Sequence, residues 1–254
     1  MARTLIFDVE NAPNLAWVWT RWQTDVIDVE VDWYLLSFAW KWLGDRKTHV
    51  LGLDDCDDPE SDYELCAKLH ELFCEADIVV AHNGSQFDVP KVNARMLVHG
   101  FDPPSPFKQV DTLQVARRNF KFASNKLDDL CRELGLDRKA SAAGFKTWIG
   151  CINGDEKSWR LMKKYNKQDV QILEQLYLRL RPWMKNHPNV GAIDDMPNVC
   201  PTCAFEGAME SRGWAISSVT RRPRFYCDPD KGGCGKWCSG RAVYKTGASF
   251  VNPS

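Results

Sequence analysis

Short apolar runs and stripes of apolar residues at helical spacing alternate along the first 184 residues. The runs are rich in β-branched and aromatic residues and end at turn-forming residues, which is typical of buried strands. The stripes repeat every three or four positions, which is typical of amphipathic helices. The predicted strands are a run from Leu5 to Val9 and then 34–42, 48–53, 77–81 and 108–112. The predicted helices are 62–75, 85–100 with Ser85 as its cap, 113–120, 126–134 and 157–184.

Three strands precede the first helix, and strands then alternate with helices. This order predicts an α/β fold in which a mixed sheet carries helices on its faces. Three segments lack a clear period: 14–32 is interpreted as a loop or short helix, 137–154 as a loop, and 187–197 as a linker. The predicted organisation is a main domain over 1–186, the linker 187–197, and a small module over 198–254.

Two carboxylates stand where the first strand ends, at Asp8 and Glu10. Residues i and i+2 of a strand point to the same face, so these side chains are expected side by side. Adjacent carboxylates repel each other and are costly to bury, and a hard divalent cation such as Mg²⁺ or Mn²⁺ removes both problems. A polar strand end leading into a loop explains this pair equally well when it is taken alone.

Two further acids stand in unusual surroundings. Asp88 follows a buried strand in the first turn of a helix, where a carboxylate also compensates the helix dipole. Tyr165 and Asp169 are spaced i and i+4, on the helix face that continues as the apolar stripe. An acid on a stripe that packs inward is costly unless it is paired or bound to a cation. Each of these residues, taken singly, is also compatible with a structural role.

Taken together, the acids form a recognisable set. Asp8-x-Glu10, Asn83…Phe87-Asp88 and Tyr165-x3-Asp169 resemble the three exonuclease motifs of the DEDD superfamily, the ribonuclease H-like 3′–5′ exonucleases. Tyr165 matches the tyrosine subgroup (DEDDy), and 110–113 and 126–136 resemble two supporting segments. The resemblance covers about residues 3–182. It implies a ribonuclease H-like fold and release of nucleoside 5′-monophosphates.

The resemblance also implies roles for the five residues. Four carboxylates hold two Mg²⁺ or Mn²⁺ ions about 4 Å apart for in-line displacement at phosphorus. Asp8 would bridge both ions, Glu10 and Asp169 would complete the shell of one, and Asp88 would support the other. Tyr165 would orient, or help to deprotonate, the attacking water.

Further residues are expected to contact the nucleic acid. The resemblance implies such a role for Asn83, Phe87 and Asn11, although many relatives have Thr or Ser where Asn11 stands. Lys126 and Lys146 could contact phosphates, and Trp148 could stack on a base. The competing interpretation is that these cations lie on solvated helix faces and that Trp148 packs in the core.

Four cysteines in the C-terminal module have the spacing of a zinc site. Cys200-x2-Cys203 is followed by Cys227-x6-Cys234, a pattern that resembles a zinc ribbon with one structural Zn²⁺. Each of these cysteine pairs forms a knuckle of the proposed zinc site. The second knuckle, Cys227-x6-Cys234, is longer than usual, so Cys238 is a rival zinc ligand to Cys227 or Cys234. Arg222, Arg224 and Lys236, interleaved with aromatic residues, suit a nucleic-acid surface, and a structural or protein-binding ribbon is the alternative.

Charge is divided unevenly along the chain. Residues 1–196 carry 25 Lys and Arg against 30 Asp and Glu, whereas 197–254 carry 8 against 4. The basic module therefore favours a polyanionic partner. No polymerase motif is present, so a proofreading role would need a separate replication or repair protein as partner.

No apolar run reaches the length of a membrane span and no signal peptide is visible, so the expected location is the cytoplasm. In a reducing compartment ten cysteines are not a disulfide framework. A compact exonuclease with a short ribbon resembles products of phages and mobile elements, in which case the cytoplasm is that of the host. The function predicted from the sequence is a metal-dependent 3′–5′ exonuclease acting on DNA. Its alternatives are an RNA-directed exonuclease, a structure-specific endonuclease, or a nucleic-acid-binding protein with an idle site.

Overall fold

A five-stranded mixed sheet in residues 3–177 is built from the apolar runs of the sequence. The computed structural model describes residues 2–20, 22, 25–137, 144–216 and 220–240, and the backbone of 244–245. The strands of this sheet are β1 (Thr4–Asn11), β4 (Leu35–Trp42), β5 (His49–Gly52), β6 (Ile78–Ala81) and β7 (Lys108–Asp111). Their order is β5-β4-β1-β6-β7, so β1 lies at the centre. It pairs antiparallel with β4 and parallel with β6.

Helices cover this sheet as the predicted α/β class requires. The helices of residues 3–177 are α1 (Tyr63–Glu75), α2 (Asp88–Val98), α3 (Thr112–Asn119), α4 (Leu127–Glu133), α5 (Phe145–Ile152) and α6 (Glu156–Leu180), of which α6 runs a few residues further. Large apolar side chains of β1, β4 and α1 are fully buried, among them Phe7, Phe38 and Phe73. Phe7 and Phe73 meet edge to face, with ring centroids 5.2 Å apart. The sheet and helices therefore share one core.

The segment 14–32 differs from its prediction. It contains a two-stranded hairpin, β2 (Leu15–Trp17) and β3 (Asp28–Val31), rather than a loop or short helix. The hairpin is largely exposed, so no alternation of buried and exposed positions marks it in the sequence. The β-branched Val29 and Val31 are the local signal that favours a strand.

Three other predictions of secondary structure were wrong. The interval 137–154, predicted as a loop, contains α5, while 138–143 lie outside the described residues. Helix α6 ends at Leu180, and a 3₁₀ turn over Arg181–Trp183 replaces the predicted last turn because Pro182 lacks the N–H that continues an α-helix. Ser85 does not cap a helix, since α2 begins at Asp88.

The chain divides into two compact units, with the boundary between Tyr177 and Leu178. The second unit contains a short helix, α7 (Val190–Ile193), within the interval predicted as a linker. Its sheet consists of β8 (Met209–Ile216), β9 (Thr220–Cys227), β10 (Trp237–Ser239) and β11 (Tyr244–Lys245). Strand β9 pairs with each of the other three, all antiparallel. Residues 246–254, which the prediction included in the module, lie outside the described part of the chain.

Candidate active site and cysteine cluster

A cleft of about 520 Å³ opens where the parallel strands β1 and β6 end. Ligands of α/β proteins commonly bind at such carboxyl ends of strands. The cleft brings together residues of β1, the turn after β6, and the distant helix α6. Its lining includes Asp8, Glu10, Asp88, Tyr165 and Asp169.

Three of these acids converge. Asp8, Glu10 and Asp169 each offer a carboxylate oxygen, and the three oxygens lie within 4.8 Å of one another. Asp8 and Glu10 are half-buried, while Asp169 is only 3% exposed. Strand period 2 places the first two on one face, and α6 brings the third against them. Oxygen donors at this separation suit a hard divalent cation, so the donor set fits Mg²⁺ or Mn²⁺.

Asp88 lies in the same cleft but is not one of the three converging acids. It is 3% exposed, and its carboxylate accepts a hydrogen bond of 3.3 Å from the backbone N–H of Val9. Burial raises the pKa of Asp88 to about 6, and the backbone hydrogen bonds offset only part of that rise. A nearby cation stabilises the ionised form of such a carboxyl group more than that of an exposed one.

The turn that presents Asp88 is held by Asp111 at the end of β7. Asp111 accepts hydrogen bonds from the backbone N–H of Asn83 at 3.0 Å and from the hydroxyl of Ser85 at 2.6 Å. It also caps α3, because the N–H of Leu113 donates to it at 3.0 Å. This is why Ser85 does not cap α2. Within the turn, a Cβ on Gly84 would lie 2.3 Å from the Cβ of Ala81, so only glycine fits there.

Tyr165 stands half-buried at the cleft, one helical turn before Asp169. The ring of Trp148, from α5, meets it edge to face with centroids 6.3 Å apart. Such aromatic contacts restrict the orientation of both rings. Trp148, predicted to stack on a base, is half-buried and contacts the Tyr165 ring, and its role in base stacking stays a prediction.

The predicted nucleic-acid contacts fall into two groups. Asn83, Phe87 and Lys126 line the cleft. Asn11, Lys146 and Trp148 are not among the lining residues in the described part of the chain. Asn11 ends β1 at an irregularity in its pairing with β4, and Lys146 is exposed on α5.

The wall of the cleft also contains residues that were not predicted from the sequence. Arg117, exposed on α3, adds a cation beside Lys126 in the lining. The ring nitrogen Nε2 of His82 donates to the carbonyl oxygen of Asn125 at 3.0 Å, which ties the segment before Lys126 to the end of β6. The only indication of His82 in the sequence was its position directly before Asn83, a residue of the predicted motif.

A second group with possible metal ligands, Asp62, Cys66 and His99, is better explained as structural. Arg95 donates to both carboxylate oxygens of Asp62, each at 2.7 Å, and the N–H of Leu35 donates at 2.9 Å. Burial alone would raise the pKa of Asp62, but the hydrogen bonds from Arg95 and His99 lower it overall. The guanidinium therefore already supplies the positive charge that a metal would bring.

The second unit contains a cluster of four thiols. The Sγ atoms of Cys200, Cys203, Cys227 and Cys234 lie within 4.8 Å of one another, and Cys238 is not in the group. Cys200 and Cys227 are fully buried. A Cβ on Gly233 would lie 2.6 Å from the Sγ of Cys227, so glycine is required in the long knuckle. All ten cysteines lie in the described part of the chain, where each is a free thiol.

The close contacts among these thiols shift their pKa values in opposite directions. Hydrogen bonds from Cys203 and Cys234 lower the pKa of Cys200, whereas the same contact with Cys200 raises the pKa of Cys234. A tetrahedral Zn²⁺ stabilises four thiolates at once, so the donor set fits zinc.

The three predicted cations of the ribbon differ in their surroundings. Arg222 is exposed on β9. Arg224 lies over the ring of Trp237 at 5.0 Å and donates to the carbonyl oxygen of Arg212 at 2.9 Å. The ammonium of Lys236 donates to the carbonyl oxygen of Met184, and burial lowers its pKa. Arg222 is thus the most available of the three to a phosphate.

In the described part of the chain, no helix combines the length and apolarity needed to cross a bilayer.

Comparison with known proteins agrees with this architecture. Residues 30–181 match the family model described as the RNase H superfamily. The PolC-type DNA polymerase III of Ureaplasma parvum serovar 3 is 28% identical over 129 residues, which is 49% of this chain and 8% of that polymerase. The family B DNA polymerase of the archaeon Pyrobaculum calidifontis superposes with a TM-score of 0.52 at 17% identity, over 72% of this chain and 25% of that one. The chain thus spans a minor part of either polymerase. Since the family match covers more than half of its length, the chain belongs to the RNase H superfamily.

Proposed function

We propose that the protein is a divalent-metal-dependent 3′–5′ exonuclease that acts on DNA ends, preferably single-stranded, and releases nucleoside 5′-monophosphates. The convergence of Asp8, Glu10 and Asp169 within 4.8 Å, in the same cleft as Asp88 and Tyr165, carries this proposal. Membership in the superfamily supports nuclease chemistry. The function is argued from the site because this fold hosts many activities.

The four carboxylates would hold two Mg²⁺ or Mn²⁺ ions. Bound cations of this kind stabilise the charge that develops on the attacking and leaving oxygens of an in-line displacement. As the family resemblance implies, Asp8 would contribute to both metal sites. Asp88 is separate from the three converging acids and would complete the second.

The other residues of the cleft would bind and orient the substrate. The Tyr165 hydroxyl would orient the attacking water and accept or relay its proton. Lys126 and Arg117 would neutralise backbone phosphates, and Phe87, which is 42% exposed, offers a ring face to the terminal base. Asn83 would complete the contacts to the last nucleotide.

DNA is favoured over RNA by the names of the relatives, both of which are DNA polymerases. This chain covers only 8% of one polymerase and 25% of the other. A partner protein that supplies synthesis would be required for proofreading.

The C-terminal module, 198–254, would be a zinc ribbon that binds nucleic acid. Its four clustered thiols support one structural Zn²⁺, and its exposed Arg222 and stacked Arg224–Trp237 pair support contact with a polyanion. A protein-binding ribbon is the second candidate, favoured by the engagement of Lys236 with a backbone carbonyl. Residues 1–186 would carry the hydrolysis and 187–197 would connect the two.

A gel of 5′-labelled single-stranded DNA incubated with the protein and Mn²⁺ or Mg²⁺ tests the function. We expect a descending ladder of single-nucleotide steps that disappears when EDTA is added. The same assay with 5′-labelled RNA and with a branched duplex separates the alternatives. One discrete product from the branched duplex would instead favour an endonuclease, and intact substrates under every metal would contradict the proposal.

Replacing Tyr165 with Phe should slow hydrolysis about 10²- to 10⁴-fold, because it removes the hydroxyl proposed to orient the water and handle its proton. DNA binding should be almost unchanged, since the ring and its contact with Trp148 remain. Single-turnover rates and binding isotherms measure the two effects. Tyr177→Phe, on the same helix and 1% exposed, is the matched control and should hydrolyse at the wild-type rate. A wild-type rate for the Tyr165 variant would reduce that residue to a packing role.

A further inference from the structure

Asn166 is a buried polar residue of α6 whose role the five motif residues do not explain. It stands beside Tyr165 in the sequence and is 0% exposed. Its Nδ2 donates to Oδ2 of Asp8 at 3.0 Å and to the backbone carbonyl oxygen of Asp8 at 3.2 Å. Packing of the helix alone does not require a buried amide to donate two hydrogen bonds to one acid of the proposed metal site.

Ser37 extends this contact to the neighbouring strand. The hydroxyl of Ser37, on β4 and also 0% exposed, donates to Oδ1 of Asn166 at 3.3 Å. In the β1–β4 pairing Ser37 stands opposite Glu10. A relay of two hydrogen-bonded side chains, Ser37 on β4 and Asn166 on α6, therefore leads to Asp8 on β1.

The direction of the relay follows from its chemistry. Carboxylate and carbonyl oxygens of Asp8 only accept hydrogen bonds, so the NH₂ group of Asn166 must face them. The amide oxygen then faces Ser37, whose hydroxyl must donate. Each group in the relay therefore has one compatible role as donor or acceptor, which fixes the orientation of the Asn166 side-chain amide.

We propose that Asn166 is a positioning residue for Asp8, held in place by Ser37; this inference rests on the proposed metal-dependent hydrolysis. Anchoring Oδ2 sets the rotation of the Asp8 carboxylate about its Cβ–Cγ bond, and so the direction in which its oxygens meet a cation. The same bonds hold α6 against β1, which sets the separation of Asp8 from Tyr165 and Asp169. Outer-shell partners of this kind orient metal ligands and raise affinity for the metal.

Mn²⁺ binding by the zinc-loaded full chain, measured by electron paramagnetic resonance without nucleic acid, tests the proposal. Asn166→Ala should weaken Mn²⁺ affinity about 10- to 100-fold. Ser37→Ala, which removes a single oxygen, should weaken it about 2- to 10-fold. Because Ser37 acts through Asn166, the double variant should bind no more weakly than Asn166→Ala alone.

Gln171→Ala is the matched control. Gln171 lies on the same helix, and its side-chain amide donates to the hydroxyl of Thr48 at 3.4 Å. Its removal should leave Mn²⁺ affinity unchanged. Thermal unfolding by circular dichroism establishes that each variant is folded. If Asn166→Ala does not fold, the Mn²⁺ affinity of Ser37→Ala tests the proposal.

The outcomes separate this role from the function on which it rests. A folded Asn166→Ala variant with wild-type Mn²⁺ affinity would overturn the positioning role alone. Additive losses from the Ser37 and Asn166 variants would overturn the relay. A wild-type protein that neither binds Mn²⁺ nor degrades DNA would overturn the proposed function, and the role of Asn166 with it.

Discussion

Asp8→Asn is expected to reduce hydrolysis about 10³-fold or more, equivalent to about 4 kcal/mol of transition-state stabilisation. The substitution preserves size and removes the charge of one acid in a group whose oxygens lie within 4.8 Å. An amide at this position binds a hard divalent cation far more weakly than a carboxylate does. Single-turnover rates on 5′-labelled DNA at saturating Mn²⁺ measure the loss.

The fold of this variant should survive. Residue 8 retains an oxygen that can accept from Asn166, and loss of one negative charge relieves repulsion among the acids. Asp45→Asn is the matched control, because Asp45 is an exposed acid in the turn after β4, near the start of β1 rather than near its end. It should hydrolyse at the wild-type rate. Equal rates for Asp8→Asn and wild type would remove the metal-site argument.

The second large effect is expected in the cysteine cluster. A Cys200→Ser/Cys203→Ser variant should lose about one bound zinc per chain and the folded structure of the second unit. Apparent binding energies of about 10–16 kcal/mol for structural zinc would make the proposed metal the main source of folding energy in a segment of this size. Metal analysis of purified protein measures the stoichiometry, and limited proteolysis measures whether residues 198–240 remain protected.

Cys238→Ser provides the control and decides between rival ligands. Cys238 lies on β10 and is outside the group of four converging Sγ atoms. The variant should therefore retain zinc and protease resistance. Loss of zinc from Cys238→Ser, or a wild-type protein without zinc, would contradict the ligand set Cys200, Cys203, Cys227 and Cys234.

Elements with strong local signals were predicted well, and those without them were not. Strands β1 and β6 and helices α1 and α6 combine apolar periodicity with turn residues at their ends, so their existence follows from the sequence. The exposed hairpin of β2 and β3 buries no regular face, and no period marks it. Ser85 resembles a helix cap locally, but its hydroxyl is taken by Asp111, 26 residues away in the sequence.

The sequence by itself determined which acids share a face and which cysteines are candidates for a metal site, with Cys238 left as a rival ligand. Strand period 2 joins Asp8 to Glu10, helical spacing joins Tyr165 to Asp169, and each depends only on residues close in the chain. Fold class followed in the same way, from the order of the elements.

Only the tertiary structure decided which of these groups meet. The Ser37–Asn166 contact joins residues 129 apart, and the Asn166–Asp8 contact joins residues 158 apart. Likewise the ring of Trp148 contacts that of Tyr165, and Cys238 lies outside the thiol group. The physical reason is that periodicity specifies the buried face of an element but not the partner on the other side of that face. The partner depends on how α6 packs on β1 and β4, and local sequence does not encode that packing.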